Sequence, residues 1–257
     1  MPRLIILGSS SGLASAYRAA SSYLLDLGTH GVLLDCGDGA TRNFRHAGFL
    51  TEWVKRIVIT HTHSDHIGGL PYFLQQRYLS GTKSPLAIHC PTLAATELEN
   101  VLAFHHLYSE RFPFVTRIES LVPRCEIDAG GVVLTPFPTT HLDSIRPGEQ
   151  DESFAIRIAV KGEVIVYSSD IGRREDLDAI PGPIDSLLVE TTHVPLGDLW
   201  PWVKQRRIAR VILTHLADDF DLSIVERARR ETDAEVLVAA DEMVLDLGRK
   251  PGRETGR

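Results

Sequence analysis

The chain has 257 residues, 43% of them hydrophobic and 24% charged, with a formal net charge of -7. That length buries a substantial core and lies near the upper end for one domain. The acidic balance, with a pI near 5.9, leaves no general attraction to polyanions, so a nucleic-acid partner would need a local basic patch. Lys204, Arg206, Arg207 and Arg210 cluster, but on what reads as one exposed helix and its end, where a solvated face explains them. The opening MPRLIILGSSSG holds an apolar run too short for a signal peptide or a membrane span, and no run of about 18 apolar residues occurs elsewhere. The three cysteines, Cys36, Cys90 and Cys125, are odd in number and widely spaced, which argues against a disulfide framework and for a reducing cytoplasm.

Strands and helices alternate along the chain. Leu4 to Gly8 reads as a short apolar strand, followed by a Ser/Gly-rich loop to Ala20. Tyr23 to Leu27 and Val32 to Cys36 form a hairpin pattern with Gly28 and Gly31 near its turn. A helix over 39–47 precedes the continuous apolar strand Arg56 to Thr60, as expected of a strand buried on both faces. A helix over Leu70 to Leu79, a strand over Leu86 to Cys90 and a longer helix from Ala94 to Tyr108 follow. A second, similar half is expected to open with a strand at Val115 to Ile118 and to continue through strands at 132–137, 154–160 and 164–168. A short helix over 175–180, the strand Ser186 to Glu190, a helix over 199–206, the strand Arg210 to Thr214, a helix over 222–232 and the strand Val236 to Ala239 complete it, with a short segment around Met243. Residues 1–248 are thus expected to form one domain of two similar halves, and the charged, Gly/Pro-containing tail 249–257 to be frayed.

The segments Arg56-Ile-Val-Ile-Thr-His61 and Arg210-Val-Ile-Leu-Thr-His215 share one pattern: a basic residue, a buried strand, then Thr-His. Two sheets packed back to back with helices outside, an α/β four-layer αββα sandwich, would bring both strand ends to one rim. Strand ends are where α/β sheets place ligand sites.

The stretch His61-Thr-His63-Ser-Asp65-His66 sits at one such end. Residues two apart beyond a strand point the same way, so His61 and His63 can face one ion, while Asp65 and His66 turn toward a second. Gly68 and Gly69 then permit close backbone approach. His141, Asp170 and His215 each follow an expected strand. The assignment is His61, His63 and His141 on one metal; Asp65, His66 and His215 on the other; and Asp170 bridging. Imidazole and carboxylate donors of this kind suit two Zn2+ ions, with Mn2+ or Fe2+ as alternatives. A water or hydroxide held between two such ions is a nucleophile at neutral pH. Asp65 is a candidate for catalysis.

Beyond HxHxDH, the chain carries Leu7-Gly8-Ser-Ser-Ser-Gly12, Arg18, Ser21-Ser22, Leu34-Asp35-Cys36-Gly37-Asp38-Gly39 and Ile67-Gly-Gly-Leu-Pro71. In these it resembles, over nearly its whole length, the metallo-β-lactamase superfamily and its ribonuclease Z-like group. The resemblance implies the αββα fold, two metals and hydrolysis, most characteristically of phosphodiesters. Flavodiiron reductases carry Glu where His63 stands, and class B1 lactamases carry Cys where Asp170 stands, so neither chemistry is matched. Glyoxalase II enzymes share the metal pattern, so thioesters stay open. In ribonuclease Z-like enzymes a glutamate in a His-Glu-Ala-Thr segment and a histidine 22 positions before the last ligand help protonate the leaving oxygen; here Leu187-Leu-Val-Glu190-Thr-Thr-His193 compresses both, and His193 stands 22 positions before His215. His193 is therefore read as a general acid oriented by Glu190.

Asp35 is read as orienting a ligand imidazole, and Cys36 as a small buried residue rather than a ligand. His30, His46 and His89 read as bland. One of His105 and His106 at best faces the cleft, and Asp143, Ser144 and Arg146 are within possible reach of substrate. A tRNA-processing ribonuclease Z is expected to carry a long arm, in its bacterial form between the positions of His141 and Asp170; here that interval is only 29 residues and no basic Gly/Pro-rich insertion exists. The expectation is a dinuclear zinc hydrolase of a small or cyclic phosphodiester. Alternatives are an endoribonuclease acting on tRNA 3' ends through a partner subunit's surface, a hydrolase of an aryl sulfate, lactone or thioester, and, least favoured, a metal-binding regulator without turnover. Nucleic acid is the less expected substrate, no membrane partner is expected, and a homodimer is implied only by the resemblance.

Overall fold

The computed structural model describes residues 1–143 and 152–248. In chain order the first part contains β1 (Arg3–Gly8), β2 (Ser22–Asp26), β3 (Gly31–Leu34), α1 (Ala40–His46), β4 (Val54–Val58), α2 (Ser64–Ile67), α3 (Leu70–Leu79), β5 (Leu86–Cys90), α4 (Thr92–Phe104) and β6 (Thr116–Ser120). Then come β7 (Ile127–Asp128), β8 (Val132–Pro138), β9 (Phe154–Val160), β10 (Glu163–Tyr167), β11 (Ser186–Glu190), α5 (Leu196–Arg206), β12 (Arg210–Thr214), α6 (Ser223–Glu231), β13 (Glu235–Val238) and β14 (Val244–Asp246).

Among the described residues the strands form two seven-stranded sheets, ordered β14-β1-β2-β3-β4-β5-β6 and β13-β12-β11-β10-β9-β8-β7. Each sheet joins an antiparallel part to a parallel part, β3 through β6 in the first and β10 through β13 in the second. Both faces of the central strands are covered, so β2 (SYLLD) and β11 (SLLVE) are buried at every position. That explains why the apolar runs continue where a half-exposed strand would alternate. Leu4, Ile6, Tyr23, Leu25 and Leu34 of one sheet pack with Phe154, Ile156, Ile158, Tyr167 and Ile212 of the other. Outside the first sheet, Phe44, Phe73, Leu74 and Leu98 from the helices complete a second core. Outside the second sheet, Trp200, Val203 and Ala228 complete a third. The layers are αββα. No helix among the described residues is long and apolar enough to cross a membrane.

Three differences from the sequence reading have physical causes. The strand expected to open the second half lies at Thr116–Ser120 and pairs with β5, closing the edge of the first sheet. The C-terminal Met243 segment leads into β14, which returns to that same sheet beside β1 with Leu4 opposite Leu245. Pairing across the chain, which local pattern does not carry, decides sheet membership. The longer helix ends at Phe104; His105 caps it and His106 is left-handed at φ 58°, so both histidines lie in the exposed turn after it. Ser144, Arg146 and the tail 249–257 lie outside the described residues, and Asp143 is exposed.

Two glycines set a close backbone crossing beside the start of α3. A Cβ on Gly69, which precedes α3, would lie 2.2 Å from the Gly37 carbonyl oxygen, and one on Gly37 would lie 2.2 Å from the Asp65 carbonyl oxygen. The Gly69 amide donates to the Cys36 carbonyl at 2.8 Å, locking the crossing. Gly69→Ala is therefore expected to destabilise the protein by about 1–3 kcal/mol through overpacking against backbone. Urea unfolding measures it, and an unchanged midpoint would refute the close packing.

Candidate metal centre

His61 lies just beyond β4, an inner parallel strand of the first sheet, and His215 just beyond β12, an inner parallel strand of the second. His63 caps the start of α2, which carries Asp65 and His66. His141 follows β8 and Asp170 follows β10. Two donor groups result: His61, His63, His141 and Asp170 in one, Asp65, His66, His215 and Asp170 in the other, with the donor atoms of each within 4.8 Å of one another.

Asp170 gives one oxygen to each group. Its Oδ2 lies 3.7 Å from His61 Nε2 and 3.5 Å from His141 Nε2. Its Oδ1 lies 3.4 Å from His66 Nε2 and 3.5 Å from His215 Nε2. His63 Nδ1 and His141 Nε2 are 3.1 Å apart, and Asp65 Oδ2 is 3.4 Å from His66 Nε2 and 3.1 Å from His215 Nε2. Two donors bound tetrahedrally to one zinc at its usual bond lengths stand about 3.3 Å apart. His61 Nε2, His66 Nε2 and Asp170 Oδ1 are moreover buried with no hydrogen-bond partner among the described residues. Unpaired buried polar atoms cost about 1–3 kcal/mol each, and these three, divided between the two donor groups, are accounted for by metal held there. The residues present fit divalent metal.

Electrostatics agree. Burial lowers the His61 pKa well below its ordinary value and brings His141 down to about 4, keeping both imidazoles neutral and able to bind metal. Burial acts the same way on His66, but Asp170 and Asp35 outweigh it and raise its pKa well above the ordinary value. Nε2 of His66 thus sits where positive charge is strongly favoured. Burial would raise the carboxyls of Asp65 and Asp170, yet the surrounding imidazoles hold both far below the usual carboxylate range. An ionised Asp65 can hold a cation or accept a proton, but has none to donate.

The residues behind the donors fix their direction. Asp35, fully buried, accepts from His66 Nδ1 at 2.8 Å, the Thr60 amide at 2.8 Å and the Tyr167 hydroxyl at 2.6 Å. His66 Nε2 is thereby left facing Asp65 and Asp170. Thr192 Oγ1 lies 3.0 Å from His215 Nδ1 and plays the corresponding part there. Glu190, 2% exposed, accepts the backbone amides of Thr192 and His193 at 2.7 and 2.8 Å, the Ile171 amide at 3.2 Å and the His193 ring at Nδ1 at 3.1 Å. The hydrogen bond to Glu190 raises the His193 pKa. The His193 ring is 4.6 Å from that of His141 and 5.7 Å from that of His215, between the two donor groups and one-third exposed.

The model of the family described as Anti-Pycsar protein Apyc1 matches residues 2–181. Ribonuclease Z from Thermobifida fusca is 38% identical over 252 residues, covering 91% of this chain and 74% of that protein. The chain belongs to the ribonuclease Z-like metallo-β-lactamase superfamily. Within it, the Anti-Pycsar protein Apyc1 family is the one whose model it matches over more than half its length. Its fold is also that of the metallo-β-lactamase fold protein YhfI from Bacillus subtilis, with a TM-score of 0.77 at 20% identity, covering 95% of this chain and 99% of that one. Ribonuclease BN from Cronobacter sakazakii is 28% identical over 201 residues, and the chain spans 61% of its length. As a ribonuclease Z-like metallo-β-lactamase protein, the chain is a metal-dependent hydrolase of ester bonds.

All seven residues assigned to metal by sequence converge, and His193 and Glu190 meet beside them. Cys36 is buried, burial raises its thiol pKa, and it belongs to neither donor group. His89 is buried against Arg56, His30 bonds the Ala129 carbonyl and His46 faces Glu242, all away from the centre. Tyr167 and Thr192 went unrecognised in the sequence, as did the loop 10–20, which packs against Asp65. A Cβ on Gly12 would stand 3.5 Å from Asp65 Oδ2. Asp35→Asn should lower divalent-metal affinity roughly 10–100-fold by releasing the His66 ring. Zinc competition against a chromogenic chelator reads this directly, and undiminished affinity would remove Asp35 from the support of the site.

Proposed function

We propose that the protein is a dinuclear zinc hydrolase of a small or cyclic phosphodiester. The observation that carries this reading is Asp170, whose two oxygens face two separate three-residue sets of donors. Two divalent ions held there would acidify a water and neutralise charge on the ester oxygens. His61, His63, His141 and Asp170 would hold one ion, and Asp65, His66, His215 and Asp170 the other.

The remaining work belongs to the side chains. His193 donates its Nδ1 proton to Glu190, so the proton it can give to a departing alkoxide sits on Nε2. Glu190, fixed by three backbone amides, holds that ring between the donor groups and favours its protonated form. Asp65, ionised, carries no proton of its own and serves by holding charge and orientation. The cytoplasm suits a chain whose three cysteines form no disulfide. A homodimer remains a proposal from the resemblance, which light scattering tests directly.

A second reading, cleavage of tRNA 3' ends, is favoured by the Thermobifida fusca relative. Against it stands the short interval between His141 and Asp170, which holds β9 and β10 and leaves no length for an arm.

Metal analysis of the purified protein should find two ions per chain; clearly fewer would overturn the dinuclear assignment. Bis-p-nitrophenyl phosphate should be hydrolysed in preference to a lactone, an aryl sulfate or a thioester, and failure on the diester alone would overturn the phosphodiesterase reading. Rapid processing of precursor tRNA would favour the second reading instead. His193→Ala should keep both ions yet lose roughly 10²–10⁴-fold in kcat on diesters with alkoxide leaving groups, and much less with p-nitrophenolate. Equal losses on the two leaving groups would exclude His193 as the proton donor.

A further inference from the structure

Two turns carry His141 and Asp170 to the rim, and one buried carboxylate outside the donor groups joins them. Asp176, in the helical turn Arg174–Ala179, is 6% exposed. Its Oδ2 accepts the Thr140 amide and the Thr140 hydroxyl, each at 3.0 Å. The same oxygen accepts the amides of Gly172 at 3.0 Å and Arg173 at 3.3 Å. Thr140 directly precedes His141, and Gly172 stands two positions after Asp170. Asp176 is itself a member of no donor group.

The two turns touch at this point. A Cβ on Gly172 would lie 2.5 Å from Thr140 Oγ1 and 2.6 Å from the Thr140 carbonyl oxygen. Thr139 Oγ1 donates to the Asp170 carbonyl at 3.0 Å, a second tie between the same turns. Glycine permits the approach and Asp176 holds it. Without that carboxylate, three amides and a hydroxyl would lose their acceptor at a contact with no room to spare.

His141 depends on this contact more than other imidazoles of the centre do. His66 is steered from behind by Asp35, His215 by Thr192, and His61 by Thr60, whose Oγ1 lies 3.2 Å from His61 Nδ1. His141 presents Nε2 to His63 and Asp170, and among the described residues its Nδ1 has no hydrogen-bond partner. The direction of its ring therefore comes from the backbone that bears it. Asp170 keeps ties of its own, through the Ile171 amide to Glu190 and through Ser169 to Thr60. Released from Asp176, it is the His141 turn that loosens.

We propose that Asp176 is a positioning residue of the metal centre: by joining the turn before His141 to the turn after Asp170, it sets the approach of His141 Nε2 to Asp170 Oδ2 and with it the cation affinity of the group His61, His63, His141 and Asp170. The group of Asp65, His66 and His215 is affected less, because Asp35 and Thr192 support it from other elements. This rests on the two-metal reading and deepens it. A partner one step behind a metal ligand carries roughly 10–100-fold in metal affinity.

The test is zinc competition against a chromogenic chelator, resolved into two binding phases, on wild type, Asp176→Ala, Asp176→Asn and Asp178→Ala. Asp176→Ala should weaken one phase about 10–100-fold and the other by less than about threefold. Asp176→Asn, which keeps one acceptor oxygen for Thr140, should weaken the same phase by a smaller factor and carries the comparison if Asp176→Ala does not fold. In a His141→Ala background, where that phase is already lost, Asp176→Ala should leave the remaining phase unchanged, as expected of residues acting as a unit. Asp178 sits on the same helical turn but bonds Arg174 and Trp202, so Asp178→Ala should leave both phases in place. Asp176 variants that lower the urea midpoint yet keep both phases at their wild-type positions would make the residue merely structural and overturn the proposal. Two phases weakened alike, a further loss in the His141→Ala background, or an equal shift in Asp178→Ala would also overturn it. A wild type that binds a single zinc would overturn the two-metal reading and this inference with it.

Discussion

The buried carboxylate of Asp35 is the point on which the rest of the site hangs. It follows β3 in a left-handed conformation, φ 54°, and takes hydrogen bonds from Thr60 beyond β4, His66 in α2 and Tyr167 at the end of β10. Those partners belong to both sheets. An unpaired carboxylate at that depth would cost several kcal/mol, so the sheets are held in the one arrangement that supplies all its donors. The same arrangement sets the spacing across the rim, because His66 then faces Asp170, which follows Tyr167 closely in the chain. The Tyr23 hydroxyl and Thr214 Oγ1, 2.9 Å apart, add a second tie just below His215.

Backbone strain occurs where the donors are presented. Ser169 at φ 50° and His215 at φ 56° are, with Asp35, left-handed residues that are not glycine. Such conformations cost about 1–3 kcal/mol and persist when the surroundings determine them. Thr60 meets Ser169 Oγ at 2.7 Å, and Thr191 and Thr192 both donate to the His215 carbonyl at 3.0 Å. The parallel strands deliver the chain to the rim; these turns then aim single side chains inward.

The donors were legible in the sequence because each stands just past a run of buried residues, and a strand end leaves its next polar side chain at the rim. His61, His141, Asp170 and His215 could be read that way, and the dense spacing from His61 to His66 needed no partner to be noticed. Tyr167 and Thr192 were not legible, since each looks like an ordinary strand or turn residue and its role depends on a partner well over a hundred positions away for Tyr167 and across a strand for Thr192. The membership of β6 and β14 in the first sheet was hidden for the same reason: period and turn residues mark a strand without naming its neighbour. The loop 10–20 read as small and polar, and only its anchorage to Asp241 and Asp218 reveals that it is held in place.

Charge gives the last constraint on what such a centre accepts. Asp38, Asp65, Asp170 and Glu190 all lie within the site or along its cleft, in a chain of net charge -7. The imidazoles offset carboxylates only where the donors converge, as cations held there would. A small diester brings one negative charge and places it at that point. An RNA strand brings one per nucleotide, and every phosphate outside the centre needs its own basic partner to bind. Along the cleft only Arg18 and Arg42 are basic, and Arg18 is committed to Ser9 and Ala239. Local chemistry suits phosphodiesters in general, but the surrounding charge favours those that end within reach of the cleft.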